Sequence, residues 1–102
     1  MGNEVVGGME LKPRRGEFRA NVHLGGKAAA VQVSRKMSSL ALRSTRAIGL
    51  DIAGVDMIED QNGNLCVMEV NYSPGFKGLE GCTGIDVARR IIQYAVKKAK
   101  EA

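Results

Sequence analysis

The hydrophobic pattern of this chain predicts four short strands, each bounded by polar residues or glycine. They cover residues 3–11, 28–33, 55–58 and 65–70. The dipeptide Asn62-Gly63 lies between the last two runs and is the strongest local signal for a tight, two-residue hairpin turn. The last two strands are therefore predicted to pair as one antiparallel hairpin.

Two longer segments have the period of amphipathic helices. The first covers residues 35–48, with Ser34 as its N-cap and Gly49 as its stop. The second begins at about Ile85 and continues to the lysines near the end of the chain. Its predicted inward face consists of Ile85, Ala88, Ile91, Ile92, Ala95, Val96 and Ala99. Two helices on a mainly antiparallel sheet place the chain in the α/β class, in its α+β form.

The predicted hairpin brings two acidic side chains together. With Asn62 and Gly63 at the turn, Asp56 lies directly opposite Glu69, and Asn71 shares the face of Glu69. Opposed like charges destabilise a sheet by up to about 1 kcal/mol, so the pair favours a bound cation. Mg²⁺ prefers oxygen ligands of this kind. At this point two interpretations stay open: a magnesium site, and a hairpin end whose acids simply face water.

A glycine-rich stretch follows the hairpin and is expected to be a mobile loop that leads into the second helix. Backbone N–H groups at a helix N-terminus favour anions, so Ser73 and Thr83 are candidate ligands of a phosphate or of a substrate carboxylate. The alternative is a turn followed by a cap, in which Thr83 accepts from helix N–H groups and Asp86 favours the helix dipole. The two interpretations are compatible.

Composition excludes several partners and sites. The net charge is +4 and the pI about 9.3, but the Lys and Arg are dispersed along the sequence and aromatic residues are scarce, which argues against nucleic acid. Cys66 and Cys82 are too few for a zinc site, and the simple hairpin register places Cys66 on the face away from the acids. No apolar segment predicts secretion or a membrane span, so a cytoplasmic location is expected.

Four motifs occur in order between Gly16 and Ile92: GEFRANVHLGG, GLDIAGVD, VMEVNYSPG and TGIDVARRI. In order and spacing they resemble the C-terminal part of the ATP-grasp core of RimK-type glutamate ligases. Such ligases join a carboxylate to an amine through an acylphosphate, hydrolysing ATP to ADP and phosphate. RimK-type members add glutamate to a protein C-terminus. The resemblance therefore implies ATP, glutamate and a protein C-terminus as substrates of the full-length protein.

The resemblance also implies roles for particular residues. Three positions match magnesium ligands of the family, for which Mn²⁺ can substitute: Asp56, Glu69 and Asn71. Arg19 and Asn21 match a segment that contacts ATP, and Arg19 is the implied catalytic cation over the transferring phosphoryl group. The alternative for Arg19 is an ordinary exposed arginine. Lys77 stands where the family pattern implies an acid, which leaves the substrate open.

The resemblance begins inside the ATP-grasp core. Residues 1–102 are therefore expected to form a single domain that is a fragment of the large subdomain, without the preceding domain and the ATP-clamping subdomain. The chain alone is expected to be inactive, because a nucleotide site with half its walls positions its ligand poorly. An alternative from another class is a non-catalytic α/β module that forms a homodimer through its truncated face.

Overall fold

The structure is a computed structural model that describes residues 1–12 and 27–101. Within this part of the chain, two antiparallel two-stranded sheets are accompanied by three helices. The elements are β1 (Gly8–Lys12), β2 (Lys27–Val31), α1 (Arg35–Ala47), β3 (Gly54–Glu59), β4 (Leu65–Asn71), α2 (Lys77–Thr83) and α3 (Val87–Glu101).

Antiparallel pairing is confirmed in both sheets. β1 pairs with β2, with Gly8 opposite Val31, and β3 pairs with β4. α1 contacts both strands of the second hairpin, and α2 contacts both strands of the first. Each pair of strands therefore has its own covering helix.

The ends of α1 agree with the prediction from sequence. Ser34 is the N-cap, and its hydroxyl accepts a hydrogen bond from the N–H of Met37 at 3.1 Å. Gly49 has a φ of +74°, a left-handed conformation that ends a helix, and its N–H donates to the carbonyl of Arg46. The local signals for start and stop were sufficient here because each of the two bonds joins residues only three positions apart in the sequence.

The glycine-rich stretch is helical where a mobile loop was expected. α2 covers residues 77–83 and contacts β1 and β2. Gly78 lies close to Met9, since a Cβ atom built on this glycine would be 3.5 Å from the methionine sulfur. Gly78 is thus packed against β1 at a distance that is ordinary for a side-chain contact, whereas the sequence prediction took the glycine as a sign of backbone freedom.

We expect Gly81→Ala to stabilise the chain by about 0.5–1 kcal/mol, because alanine has the higher helix propensity. Gly81 lies inside α2, and an added Cβ atom would have no neighbour within 4 Å. Urea unfolding followed by circular dichroism measures the change. Gly84→Ala is the opposing control: Gly84 has a φ of +73°, so this substitution should destabilise the chain. A loss of stability in Gly81→Ala would mean that α2 does not persist in solution.

The start of α3 is held by side chains of the preceding segment. The Glu80 carboxylate accepts hydrogen bonds from the N–H groups of Val87, at 2.9 Å, and Ala88, at 3.3 Å. Asp86 accepts from the N–H of Arg89 at 3.0 Å. These bonds satisfy N–H groups that have no partner inside the helix. The helix begins at Val87, two residues after the predicted start.

Val87, at 6% exposure, is the one buried apolar residue in the described part of the chain. In α3 it shares a face with the half-buried Ile91 and Tyr94. The predicted inward face of α3 is therefore wrong in phase, since Ile92 and Val96 are 64% and 49% exposed. Among the described helices, none is long and apolar enough to cross a membrane.

Candidate metal site on the second hairpin

The second hairpin places three oxygen-bearing side chains at one end. Asp56 lies directly opposite Glu69, and Gly54 lies directly opposite Asn71. The opposition of Asp56 and Glu69, and the placement of Asn71 on the face of Glu69, agree with the prediction. The carboxylates and the amide are all exposed to solvent, on strands whose opposite face is half-buried. The arrangement leaves the oxygens accessible to a cation.

The turn that produces this register differs from the predicted one. Glu59 pairs with Leu65, and the N–H of Asp60 donates to the carbonyl of Asn64 at 2.8 Å, so three residues form the loop where two were expected. Gly63 has a φ of +81°, the left-handed conformation that such three-residue loops require. This longer loop displaces the strand register by one residue near the turn.

A bulge in β4 restores the register farther from the turn. Met57 pairs with Val67 while Asp56 pairs with Glu69, so Met68 is an extra residue without its own partner. The bulge offsets the displacement caused by the loop. Asp56 and Glu69 are therefore opposed because two irregularities compensate each other.

The bulge changes which residues share the face of the acids. Cys66 lies opposite Ile58, two residues along β3 from Asp56, so Cys66 is on the acidic face. The prediction that Cys66 lies on the other face is wrong, because it assumed a regular hairpin. Ile58 and Met68 are 54% and 69% exposed, so apolar surface lies near the carboxylates.

The turn itself is stabilised by Asp60. Its carboxylate accepts hydrogen bonds from the N–H groups of Asn64, at 2.8 Å, and Asn62, at 2.9 Å. The hydrogen bond from the Asn64 backbone is the main cause that lowers the pKa of Asp60 below its usual 3.8.

We expect the turn to lose stability in acid. Because the pKa of Asp60 is lower in the folded chain than in the unfolded chain, its stabilising effect is fully present above about pH 4 and is lost as pH falls through the folded pKa. Asp60→Asn keeps an acceptor oxygen but cannot titrate. The difference in melting temperature between wild type and this variant should therefore shrink below about pH 4. A difference that does not change with pH would contradict a role for the Asp60 charge.

Asn71 is oriented by the loop that follows it. Its side-chain oxygen accepts a hydrogen bond from the N–H of Ser73 at 2.9 Å. Because an N–H group can only donate, the oxygen and not the nitrogen of the amide faces Ser73. An amide oxygen has two lone pairs, so one remains available for a cation.

Gly54 allows the same loop to fold over the strand end. A Cβ atom built on Gly54 would lie 2.8 Å from the Cβ atom of Pro74, closer than side chains approach in practice. Pro74 thus packs against the backbone on the strand that bears Asp56. Gly54 and Pro74 were not among the predicted site residues, although a glycine inside a strand is a known sign of close approach.

The remaining predicted residues are placed differently. The Thr83 hydroxyl, at the end of α2, donates to the carbonyl of Leu79 at 2.6 Å and accepts from the N–H of Ile85 at 3.2 Å. It does not cap α3, which corrects that part of the prediction. Ser73 is exposed in the loop after Asn71. Arg19 and Asn21 lie outside the described residues.

The donor set contains two carboxylates and one amide. Residues 1–12 and 27–101 contain no group of three or more His, Cys, Asp or Glu side chains that could hold a metal ion. A cation on this hairpin therefore needs further ligands from water or from another molecule. Magnesium suits such a set, because it is commonly held by one or two carboxylates together with phosphate oxygens and water.

Comparisons with known proteins identify relatives of the chain. The family model described as the RimK-like ATP-grasp domain matches residues 1–95. A probable alpha-L-glutamate ligase of Klebsiella pneumoniae is 44% identical over 99 residues, which are 97% of this chain and 33% of the relative. Probable alpha-L-glutamate ligase 1 of Shewanella frigidimarina is 46% identical over 100 residues, 98% of this chain and 33% of the relative.

A solved structure has the same fold. The ATP-grasp ligase PsnB, complexed with a phosphomimetic variant of its minimal precursor, Mg and ADP, matches 95% of this chain and 30% of PsnB, with a TM-score of 0.78 and 21% identity. The chain spans about a third of the length of the glutamate ligases it matches. Its four motifs all lie within the residues that the family model matches. The chain belongs to the RimK-like ATP-grasp family.

Proposed function

We propose that this chain provides the magnesium-binding part of an ATP-dependent ligase that joins the amine of glutamate to a carboxylate, such as the C-terminus of an acceptor protein, through an acylphosphate. The observation that supports this most directly is the Asp56–Glu69 pair, with Asn71 beside it, on an exposed hairpin end. The names of the relatives support glutamate as a substrate.

The chemistry of phosphoryl transfer suits this donor set. When bound, Mg²⁺ neutralises phosphate charge and orients the transferring group, while the protein does little covalent chemistry. Asp56, Glu69 and Asn71 would hold the ion. The bond from the Ser73 N–H keeps the Asn71 oxygen in place before the ion arrives, which reduces the entropy lost on binding.

Four further residues are proposed contacts of the substrates. Arg19 and Asn21 would contact ATP, with Arg19 placed to stabilise the transferring phosphoryl group. Ser73 and Thr83 would lie near the phosphate or the amino-acid carboxylate. Ser73 lies two residues after Asn71, whereas the Thr83 hydroxyl must release its bond to Leu79 to contact a ligand.

The chain by itself should bind nucleotide weakly and not turn it over. The ligases it matches are about three times longer, and the carboxylates here are exposed on an open surface. A site without enclosing walls excludes water poorly and positions its ligand poorly. ATP hydrolysis by this chain, with glutamate and a peptide acceptor, would contradict this part of the proposal.

A manganese titration of the isotopically labelled chain tests the metal site. Mn²⁺ stands in for Mg²⁺ and broadens NMR signals of nearby residues. We expect broadening at Asp56, Glu69 and Asn71 that increases when ADP is added. Broadening spread over the surface acids, with no effect of ADP, would contradict the proposed site.

A non-catalytic, self-associating module is a second candidate, favoured by the amount of exposed apolar surface. Among the residues that the structure describes, the exposed large apolar ones are Ile48, Ile58, Met68, Tyr72, Ile92 and Val96. Ile92 and Val96 are four residues apart on α3 and therefore share a face. Contiguous exposed apolar surface is typical of contact surfaces. Sedimentation equilibrium would show a dimer directly, and a dimer that gave no ADP-dependent manganese broadening would favour this candidate.

A further inference from the structure

The outer face of α1 has charge of one sign. The helix contains four Lys or Arg residues and no Asp or Glu. Since the whole chain has a net charge of +4, all other residues together are neutral and the excess lies on this helix. At about 100° of rotation per residue, the four basic positions fall within an arc of roughly 100°. They are Arg35, Lys36, Arg43 and Arg46.

A groove of about 480 Å³ lies between this basic face and the turn of the second hairpin. Arg35, Lys36 and Arg43 line it from α1, and Ser39 lies among them. Asn64 lines it from the turn. The charges that looked dispersed in the sequence are thus concentrated at one concave surface by the helix.

The three cations of the groove have no acidic partner among the described residues. The one ion pair within residues 1–12 and 27–101 joins Arg90 to Glu4 at 2.9 Å. The carboxylate of the turn, Asp60, accepts instead from backbone N–H groups of that turn. Arg46, at the other end of α1, donates to the side-chain oxygen of Asn3. The Glu59 carboxylate lies near Gly63 at the edge of the groove and forms no ion pair with the three cations. Three cations beside one acid leave a net positive charge, which attracts an anionic ligand.

The groove is separate from the candidate metal site. α1 covers the half-buried face of the second hairpin, and Leu65, on the same face as Val67, lines the groove together with Leu40 of α1. Asp56 and Glu69 lie on the opposite, exposed face. A ligand in the groove therefore lies across the sheet from the carboxylates.

We propose that this groove binds an acidic polypeptide segment, whose carboxylates pair with Arg35, Lys36 and Arg43. Along the helix axis, Arg35 and Arg43 are about 12 Å apart. An extended peptide covers that distance in about four residues, at roughly 3.3 Å each, with alternate side chains on one side. Ser39 and Asn64 offer hydrogen bonds to its backbone. The groove volume is within the usual range for ligand sites, about 300–1,000 Å³.

Nucleic acid is the less suitable ligand. Proteins that bind single strands combine positive charge with aromatic side chains on which the bases stack. The residues that line the groove include no aromatic side chain. Its apolar members, Leu40 and Leu65, suit the methylene groups of glutamate side chains instead.

Fluorescence anisotropy with fluorescein-labelled hexaglutamate and the 102-residue chain tests the proposal. We expect saturable binding at about 50 mM NaCl that weakens roughly tenfold at about 300 mM, because salt screens exposed charges. Arg35→Gln with Arg43→Gln should weaken it at least about tenfold, and labelled hexaglutamine should bind at least about tenfold more weakly than hexaglutamate. The matched control, Lys97→Gln with Lys100→Gln on α3, removes the same charge elsewhere and should stay within about twofold of wild type.

Three results would overturn the proposal. Equal weakening in the α3 control would show attraction to net charge alone, and tighter binding of a hexathymidylate would assign the groove to nucleic acid. If circular dichroism shows that the α1 variant does not fold, the amide NMR signals of the wild-type chain are followed while hexaglutamate is added. Signals that change only in residues distant from Ser39 and Asn64 would contradict the site. Asp56→Asn should bind hexaglutamate like wild type, so failure of the proposed metal site is a separate outcome.

Discussion

Asp56→Asn should weaken binding of Mn²⁺ in the presence of ADP by at least about tenfold, because it removes one of only two carboxylates from the site. The same substitution should leave the metal-free chain as stable as wild type or slightly more stable. Asp56 and Glu69 are directly opposed, and relief of like-charge repulsion across a sheet is worth tenths of a kcal/mol to about 1 kcal/mol. Metal binding and metal-free stability should thus change in opposite directions.

Isothermal titration with MnCl₂ and thermal unfolding without metal measure the two effects. Glu10→Gln is the matched control, since Glu10 is an exposed acid on a strand of the other hairpin. It removes the same charge and should leave Mn²⁺ affinity within about twofold of wild type. A large loss of metal-free stability in Asp56→Asn would mean that Asp56 has a structural partner. Equal weakening in both variants would mean that the ions bind to surface charge in general.

Features set by neighbouring residues were predictable from the sequence. Ser34 and Gly49 act within one turn of α1, and their bonds appear as expected. The antiparallel hairpin followed from two β-favouring runs around Asn62-Gly63. In each case the determining contact is short in sequence, so the local pattern contains most of the information.

The bulge at Met68 was not predictable in the same way. A hairpin with a two-residue turn and regular strand pairing places Asp56 opposite Glu69. A hairpin with a three-residue loop and a bulge, as in the structure, places the same two residues opposite each other. The residue pattern near the acids is the same in both cases. The residues between the turn and the bulge distinguish them: Cys66 lies on the acidic face in the structure, and Leu65 and Val67 lie on the opposite face. The opposition of Asp56 and Glu69 was therefore predicted correctly for a reason that was partly wrong.

Packing against distant residues explains the other differences. Gly78 approaches Met9 and α2 contacts the first hairpin, so a segment rich in glycine is helical. The phase of α3 depends on which face meets the rest of the chain, and the sequence offered apolar residues on both sides. Val87 faces inward while Ile92 faces solvent. Tertiary contacts of this kind override local propensity.

Among substitutions that add a single methyl group at the site, Gly54→Ala should cause the largest loss in the free energy of unfolding. The new Cβ atom would meet the Pro74 ring at 2.8 Å, and that ring is bonded to its own backbone, so it cannot move without the loop. Overpacking of this kind costs about 1–3 kcal/mol. Replacing a strand glycine gains only about 0.5–1 kcal/mol from the smaller entropy of the unfolded chain, so the net effect should be destabilising.

The same substitution should also weaken Mn²⁺ binding, although it removes no ligand. Pro74 follows Ser73, whose N–H orients the Asn71 oxygen at 2.9 Å, so a displaced loop changes the position of that oxygen. Gly75→Ala is the matched control, because an added Cβ atom there has no neighbour within 4 Å. Its stability should change by less than about 0.5 kcal/mol. If Gly54→Ala lowered the unfolding midpoint but left Mn²⁺ affinity unchanged, Asn71 would not be a ligand and the site would consist of the two carboxylates alone.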